Sequence, residues 1–248
     1  DNVVLPEKYF KFLAEYNDIY FRFGAVYEDI LGKDNTTTFI IGAFLVVLLF
    51  KFVPVPFTPL MGMRALEHNE AGKEMTCSHE WVPIDEISLN LQKAVIASED
   101  GRFLEHSGFD FEAMQKAYKN NSKGKRLKGG STISQQTAKN VFLWQGRSYV
   151  RKGLEAYYTV LIELIWGKKR IMEVYLNSIE MGDGVYGAEA AAKHWYRKDA
   201  ASLTRYEAAG IAAILPNPRK YKASNSSSYI NRRKAKISRE IGYVKLDY

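Results

Sequence analysis

The residues able to do chemistry fall into three segments of the 248-residue chain. The first is Glu99-Asp100-Gly101-Arg102-Phe103-Leu104-Glu105-His106-Ser107-Gly108-Phe109-Asp110. Ile87, Leu91, Ala94 and Val95 predict an apolar helix that ends at the adjacent carboxylates Glu99 and Asp100. A carboxyl group at the rim of a core is partly desolvated, which raises its pKa and suits it to proton transfer. Acidic residues at helix ends are more often plain solvated charges, so this segment alone does not establish a catalytic base. The second segment is Gly129-Gly130-Ser131-Thr132-Ile133-Ser134-Gln135-Gln136-Thr137-Ala138-Lys139-Asn140. Free N–H groups at a helix start attract an anion, and the Gln, Lys and Asn side chains hydrogen-bond sugars and phosphates. An ordinary capped helix with a polar face is the alternative; Arg147, Arg151 and Lys152, which follow directly, favour phosphate. The third segment is Arg151-Lys152-Gly153-Leu154-Glu155. Glu155 is either the salt-bridge partner of these cations or a second site carboxylate that they hold ionised.

Charge is concentrated around the last two segments. Ala113 to Leu154 contains no Asp or Glu and ten Lys or Arg, against a chain total of +7, so the remaining residues sum to −3. Such a stretch implies an anionic partner: phosphate, nucleic acid or an anionic membrane surface. One cysteine, Cys77, excludes an intramolecular disulfide, and the four scattered histidines offer no metal-ligand spacing.

The elements that must position these residues read as helices. Thr132 with Gln135, and Thr204 with Glu207, form capping-box patterns that open two of them. Arg151 to Trp166 reads as a long helix and Ile171 to Asn177 as a short one; the helix after Thr204 stops at Pro216. No alternating strand pattern of any length occurs, so the expected fold is mainly α. Thr36 to Phe57 carries one charge, Lys51, in 22 residues and is expected to form a single membrane-spanning helix. Two cations flank it on either side, so charge does not orient it. Before it, Tyr9, Leu13, Tyr16, Tyr20, Phe23, Tyr27 and Ile30 line one face of an amphipathic, aromatic-rich segment over 1–35. The expected organisation is that segment, the span at 36–57, a linker at 58–80 and a helical domain at 81–248.

Together these motifs resemble the signature of the peptidoglycan glycosyltransferases, and most of all the monofunctional biosynthetic transglycosylases. The resemblance runs from about Val53 to Arg239. It includes E-D-x-x-F-x-x-H-x-G-x-D at 99–110, G-x-S-T-I-S-Q-Q-x-x-K-N at 129–140 and R-K-x-x-E at 151–155. It continues through Y-L-N at 175–177, G-D-G-V-Y-G at 182–187, E-A-A at 207–209 and L-P-N-P at 215–218. It implies a lysozyme-like bilobal α domain that polymerises lipid II, a lipid-linked disaccharide-pentapeptide, into β-1,4 glycan strands. Configuration inverts and undecaprenyl diphosphate departs. Carried over by position, Glu99 is the general base and Glu155 the second catalytic carboxylate. Ser131, Gln135, Gln136, Lys139, Asn140, Arg147 and Arg151 bind the donor's sugar and diphosphate. The resemblance leaves room for a divalent metal, Mg or Mn, at the diphosphate, with no organic cofactor. It places the chain in the bacterial cytoplasmic membrane, single-pass, with the catalytic domain on the outer side. Its implied partners are lipid II, the growing lipid-linked strand, the membrane, and other cell-wall synthesis or division proteins. One departure is Trp195-Tyr196-Arg197-Lys198, where the family's aromatic-Gly-Lys has Arg in place of Gly. It puts the local turn in question, not the chemistry.

Two other readings remain open from the sequence. A lytic glycosidase on the same scaffold also uses a Glu at a helix end, but needs a general acid for a sugar leaving group, which ten clustered cations suit less well than a diphosphate. A non-enzymatic anchored module would bind anionic lipid or nucleic acid through 113–154. Nucleic acid is not the expected partner, because the window holds few stacking aromatics beyond Tyr118, Phe142, Trp144 and Tyr149.

Overall fold

The computed structural model describes residues 35–70, 72, 77–122, 130–146 and 148–248. Residues 1–34 with most of the aromatic-rich segment, residues 71 and 73–76, residues 123–129 of the basic window, and Arg147 lie outside the described residues.

The chain is mainly helical. Helix α1 spans Asn35–Phe52 and α2 Pro59–Glu70. Then come α3 (Leu89–Glu99), α4 (Phe111–Ser122), α5 (Ile133–Phe142), α6 (Tyr149–Ile165) and α7 (Gly167–Ser178). The series ends with α8 (Ala188–Tyr196), α9 (Arg205–Ile214) and α10 (Ser228–Glu240). Three strands of two or three residues, β1 (Ser78–His79), β2 (Glu180–Gly182) and β3 (Val185–Tyr186), form one sheet in the order β1-β3-β2. Strands this short leave no alternating pattern in a sequence, which is why none was expected.

Both capping boxes form. Thr132 and Gln135 exchange side-chain and backbone hydrogen bonds at the start of α5, as do Thr204 and Glu207 at the start of α9. Each satisfies two N–H groups that a helix start leaves free. The helix expected to end at Pro216 ends at Ile214, and the one expected from Arg151 begins two residues earlier behind a Ser148 cap.

One apolar core joins the helices that carry the site. Helix α3 packs on α9 and α10, and α5 packs on α6 and α7. Helix α9 contributes Ala208, Ala209, Ala212 and Ala213, all fully buried, so its neighbours approach closely. A Cβ at Gly210 would lie 2.2 Å from the Tyr196 hydroxyl, so that approach requires glycine.

The start of the described chain differs from expectation. Helix α1 stops at Phe52 instead of running through 57, because Pro54 cannot donate and its ring disfavours a helical residue before it. Its 18 residues rise about 27 Å at ~1.5 Å each. No helix among the described residues is long and apolar enough to cross a membrane. One face of α1, with Ala43, Val47 and Phe50, is buried on the domain. Carbonyls near its end and just beyond it accept from the domain: Trp166 Nε1 donates to Val47 O (2.7 Å), and Arg170 donates to Phe50 O and Val53 O (2.8 and 2.6 Å). The opposite face exposes Phe39, Ile40, Phe44, Leu45, Leu48, Leu49 and Phe52. Helix α2 fills much of the expected 58–80 linker and buries Leu60 and Met61.

Arg197 resolves the departure noted above. It ends α8 in the left-handed conformation (φ 56°), and its N–H bonds back to the carbonyls of Ala192 and Lys193. The turn that normally uses glycine is kept, at the cost of left-handed strain on a side-chain-bearing residue.

Candidate active site

Glu99 is the last residue of α3. Ser88 caps the start of this helix, and Leu91, Ala94 and Val95 are fully buried along it. The helix therefore delivers Glu99 to a fixed point at the edge of the core. Burial pushes the Glu99 carboxyl above the ordinary carboxylate range. Hydrogen bonds from Gln136 and Ser98 and the charge of Arg233 pull it back, and Asp100 adds to the rise.

The rest of the 99–110 box is scaffold. Asp100 is buried; it accepts from His106 Nε2 at 2.9 and 3.1 Å and from the Ile133 amide at 2.9 Å. Gly108 N donates to His106 Nδ1, so the proton of neutral His106 sits on Nε2, facing Asp100. The Thr132 hydroxyl donates to Gly108 O (2.7 Å). Gly108 has φ +89°, and a Cβ there would fall 2.8 Å from Thr159 Cγ2 on α6. Asp110 caps α4 through the Ala113 amide (2.9 Å), and Phe103 is fully buried. These contacts lock the first turn of α5 beside the end of α3.

That lock sets the face of α5. Gln136 Nε2 donates to Glu99 Oε2 (3.3 Å). Lys139 follows one helical turn later on the same face. Burial pulls the Lys139 pKa down; the charge of Glu155 pulls it up, and Arg151 and Lys152 lower it. Lys139 thus shares one field with the start of α6. There, buried Glu155 accepts from Lys152 Nζ at 2.5 Å and lies 3.9 Å from Arg151 Nη1. Arg151 Nε is buried and has no hydrogen-bond partner among the described residues. Three cations surround one carboxylate, with a buried donor to spare, which suits an anion with several oxygens.

The expected site residues therefore gather in two linked groups, Glu99 with Gln136 and Lys139 with Arg151 and Glu155, joined by one turn of α5. Ser131 is exposed just ahead of that helix. Asn140 is buried on α5, and Gln135 Oε1 accepts from the backbone N–H of Thr132 (3.0 Å). Arg147 lies outside the described residues. Reading the sequence for chemistry missed Ser98, Tyr175 and Arg233, which hold Glu99 and Gln136 in place. Tyr175 stood in the Y-L-N motif; Arg233 lay in a basic run that reads as a solvated helix face.

A divalent metal held at the diphosphate would meet Glu155 as its protein carboxylate, beside Lys152, Arg151 and Lys139. No group of three or more His, Cys, Asp or Glu among the described residues is arranged to hold one.

The family model described as Transglycosylase matches residues 68–241. Curated relatives agree with it. The chain is 56% identical over 206 residues to a protein of Caulobacter vibrioides named biosynthetic peptidoglycan transglycosylase, covering 83% of this chain and 87% of that one. A protein of the same name from Bdellovibrio bacteriovorus is 55% identical over 192 residues, 77% of this chain and 76% of its own. One from Bacteroides thetaiotaomicron is 52% identical over 206 residues, 83% of each.

Proposed function

Because this chain belongs to the transglycosylase family and is a peptidoglycan glycosyltransferase, we propose that it polymerises lipid II into β-1,4 glycan strands, with Glu99 as the base. Glu99 takes the proton from the acceptor's 4-hydroxyl as that oxygen attacks the anomeric carbon of the donor strand. The leaving group is undecaprenyl diphosphate, which is acidic and needs charge stabilisation, not a proton. Lys139, Arg151 and Lys152, with Arg147 from the adjoining basic window, supply that stabilisation as the C–O bond breaks. Attack opposite the leaving group inverts α to β. Glu155 is the second carboxylate: it keeps the cations aligned and leaves their outer donors to the diphosphate. Ser131, Gln135, Gln136 and Asn140 are assigned to the donor's sugars, Gln136 also contacting the base. No step is routed through a metal.

The observation that carries this reading is the division of one helix face, with a desolvated carboxylate at one end of α5's polar side and a cationic cluster at the other. The domain fold is assigned as lysozyme-like and bilobal. The exposed apolar face of α1 is assigned to the lipid bilayer, since a substrate with a lipid tail stays at the membrane. The same reading anchors the chain in the cytoplasmic membrane with its catalytic domain outside, alongside other cell-wall synthesis or division proteins.

The test is incubation with lipid-linked disaccharide-pentapeptide. Wild type is expected to form polymer, and Glu99→Gln to lose roughly 10²-fold or more, the scale of removing a general base. Equal rates would remove Glu99 from the mechanism, and release of fragments from finished glycan would replace synthesis with lysis.

A further inference from the structure

Glu99 is gripped at both of its oxygens. Its Oε2 accepts from Gln136 Nε2 at 3.3 Å, and the Oε1 of Gln136 accepts from the Tyr175 hydroxyl at 3.3 Å. The other oxygen of Glu99, Oε1, accepts from the Ser98 hydroxyl at 3.1 Å, and Ser98 Oγ accepts from Arg233 Nη2 at 3.3 Å. Tyr175 is fully buried on α7, and Arg233 reaches in from α10. We infer that Tyr175 and Arg233 are positioning residues for the Glu99 base, acting through Gln136 and Ser98; this rests on the assignment of Glu99 above.

The chemistry of each relay is specific. An amide can present either its oxygen or its nitrogen. The Tyr175 O–H is a donor that burial keeps protonated, so it fixes the Gln136 oxygen toward itself and the NH₂ toward Glu99. A reversed amide would set donor against donor and acceptor against acceptor. Ser98 has one proton and two acceptors in reach, Glu99 Oε1 and Ala212 O (3.3 Å). Donation from Arg233 into Ser98 Oγ polarises that hydroxyl and strengthens what it donates onward.

Arg233 is held one hydroxyl away from the carboxylate. Direct pairing would keep Glu99 ionised but weaken it as a base. Through Ser98, the charge offsets part of the burial effect and leaves the carboxylate able to accept a proton. The other charged or titratable groups facing Glu99 are Asp100 at its own helix end, bonded to His106, and Tyr175 from α7. Lys139 lies one turn farther along α5. Arg233 is thus the cation that α10 brings to the base, and Arg233 Nε is buried with no hydrogen-bond partner among the described residues.

The experiment is kcat/KM against pH in the polymer assay, for wild type, Arg233→Gln, Arg233→Lys, Ser98→Ala and Tyr175→Phe, with Glu99→Gln in parallel. The base must be ionised, so activity rises with pH through its titration. Arg233→Gln is expected to move that acid limb to higher pH, costing about tenfold on the acid side and less above the limb. Arg233→Lys is expected to restore the limb. Tyr175→Phe is expected to lower kcat about tenfold across the range, with KM little changed. An unmoved limb in a folded Arg233→Gln, checked by thermal unfolding, overturns the role of Arg233. Should that variant not fold, Ser98→Ala carries the same test: its limb moves up, or the relay is refuted. Wild-type kcat in Tyr175→Phe removes Tyr175. If Glu99→Gln is inactive while the limbs stay put, only the positioning roles fail; if Glu99→Gln is fully active, the base assignment itself fails.

Discussion

Glu99 and Glu155 lie at the two ends of one polar helix face, in opposite surroundings. Glu99 is held by neutral donors, Gln136 and Ser98, with the Arg233 cation a hydroxyl away. Glu155 is in contact with Lys152 and Arg151 and within the field of Lys139. The contrast shows how one residue type fills two roles. A carboxylate desolvated among neutral groups is destabilised as an anion and seeks a proton, whereas one in contact with cations organises them. Transfer to a hydroxyl nucleophile with loss of a diphosphate needs one of each.

The comparison can be broken most severely at Lys139. In the proposed reaction Lys139→Met removes a charge that stabilises the leaving group, and it is expected to lower kcat roughly 10²–10³-fold, as loss of one transition-state donor does. Single-turnover kinetics would measure it, and a change in KM alone would move Lys139 out of the mechanism. A second break compares the two glutamates. Glu155→Gln strands the largely buried Arg151 and is expected to cost about 1–3 kcal/mol in unfolding free energy as well as activity. Glu99→Gln keeps neutral hydrogen bonding and is expected to leave stability within about 1 kcal/mol. Denaturant unfolding of both separates them, and equal losses would erase the distinction.

Inorganic pyrophosphate sharpens the contrast. It is expected to inhibit competitively with the donor, with Arg151→Met weakening inhibition about tenfold, the scale of one charge-assisted contact. Measured by direct binding, Glu99→Gln should leave pyrophosphate affinity unchanged. The smallest effect lies away from both glutamates. Arg197→Gly relieves about 1–2 kcal/mol of left-handed strain at the end of α8 against about 0.5–1 kcal/mol of added chain entropy, a net stabilisation of about 0.5–1 kcal/mol, with polymer formation unaltered. A loss of stability there would mean that the Arg197 side chain contributes more than its backbone costs.

Much of this site could be read before the fold was known, and the reasons are local. Thr132 and Gln135 cap a helix through contacts three residues apart, and Glu99 follows an apolar run whose period is plain. The division of labour inside the 99–110 box could not be read. Glu99 and Asp100 are adjacent carboxylates, and only the fold commits Asp100 to His106 and the Ile133 amide while leaving Glu99 to face Gln136. Arg233 is 134 positions from Glu99, in a basic run that looks solvated until α10 packs on α3. The end of α1 was misplaced because hydrophobicity continues to Phe57 while Pro54 stops the helix. The aromatic segment before α1 lies outside the described residues.

The most direct test of the central claim follows the proton. The pH dependence of kcat/KM for polymer formation is measured for wild type and for the residual activity of Glu99→Gln. The wild-type acid limb is predicted to lie above the ordinary glutamate range, as burial dictates, and to vanish in Glu99→Gln. The same limb at the same pH in both proteins would contradict the account, because the group that must lose its proton would then lie elsewhere.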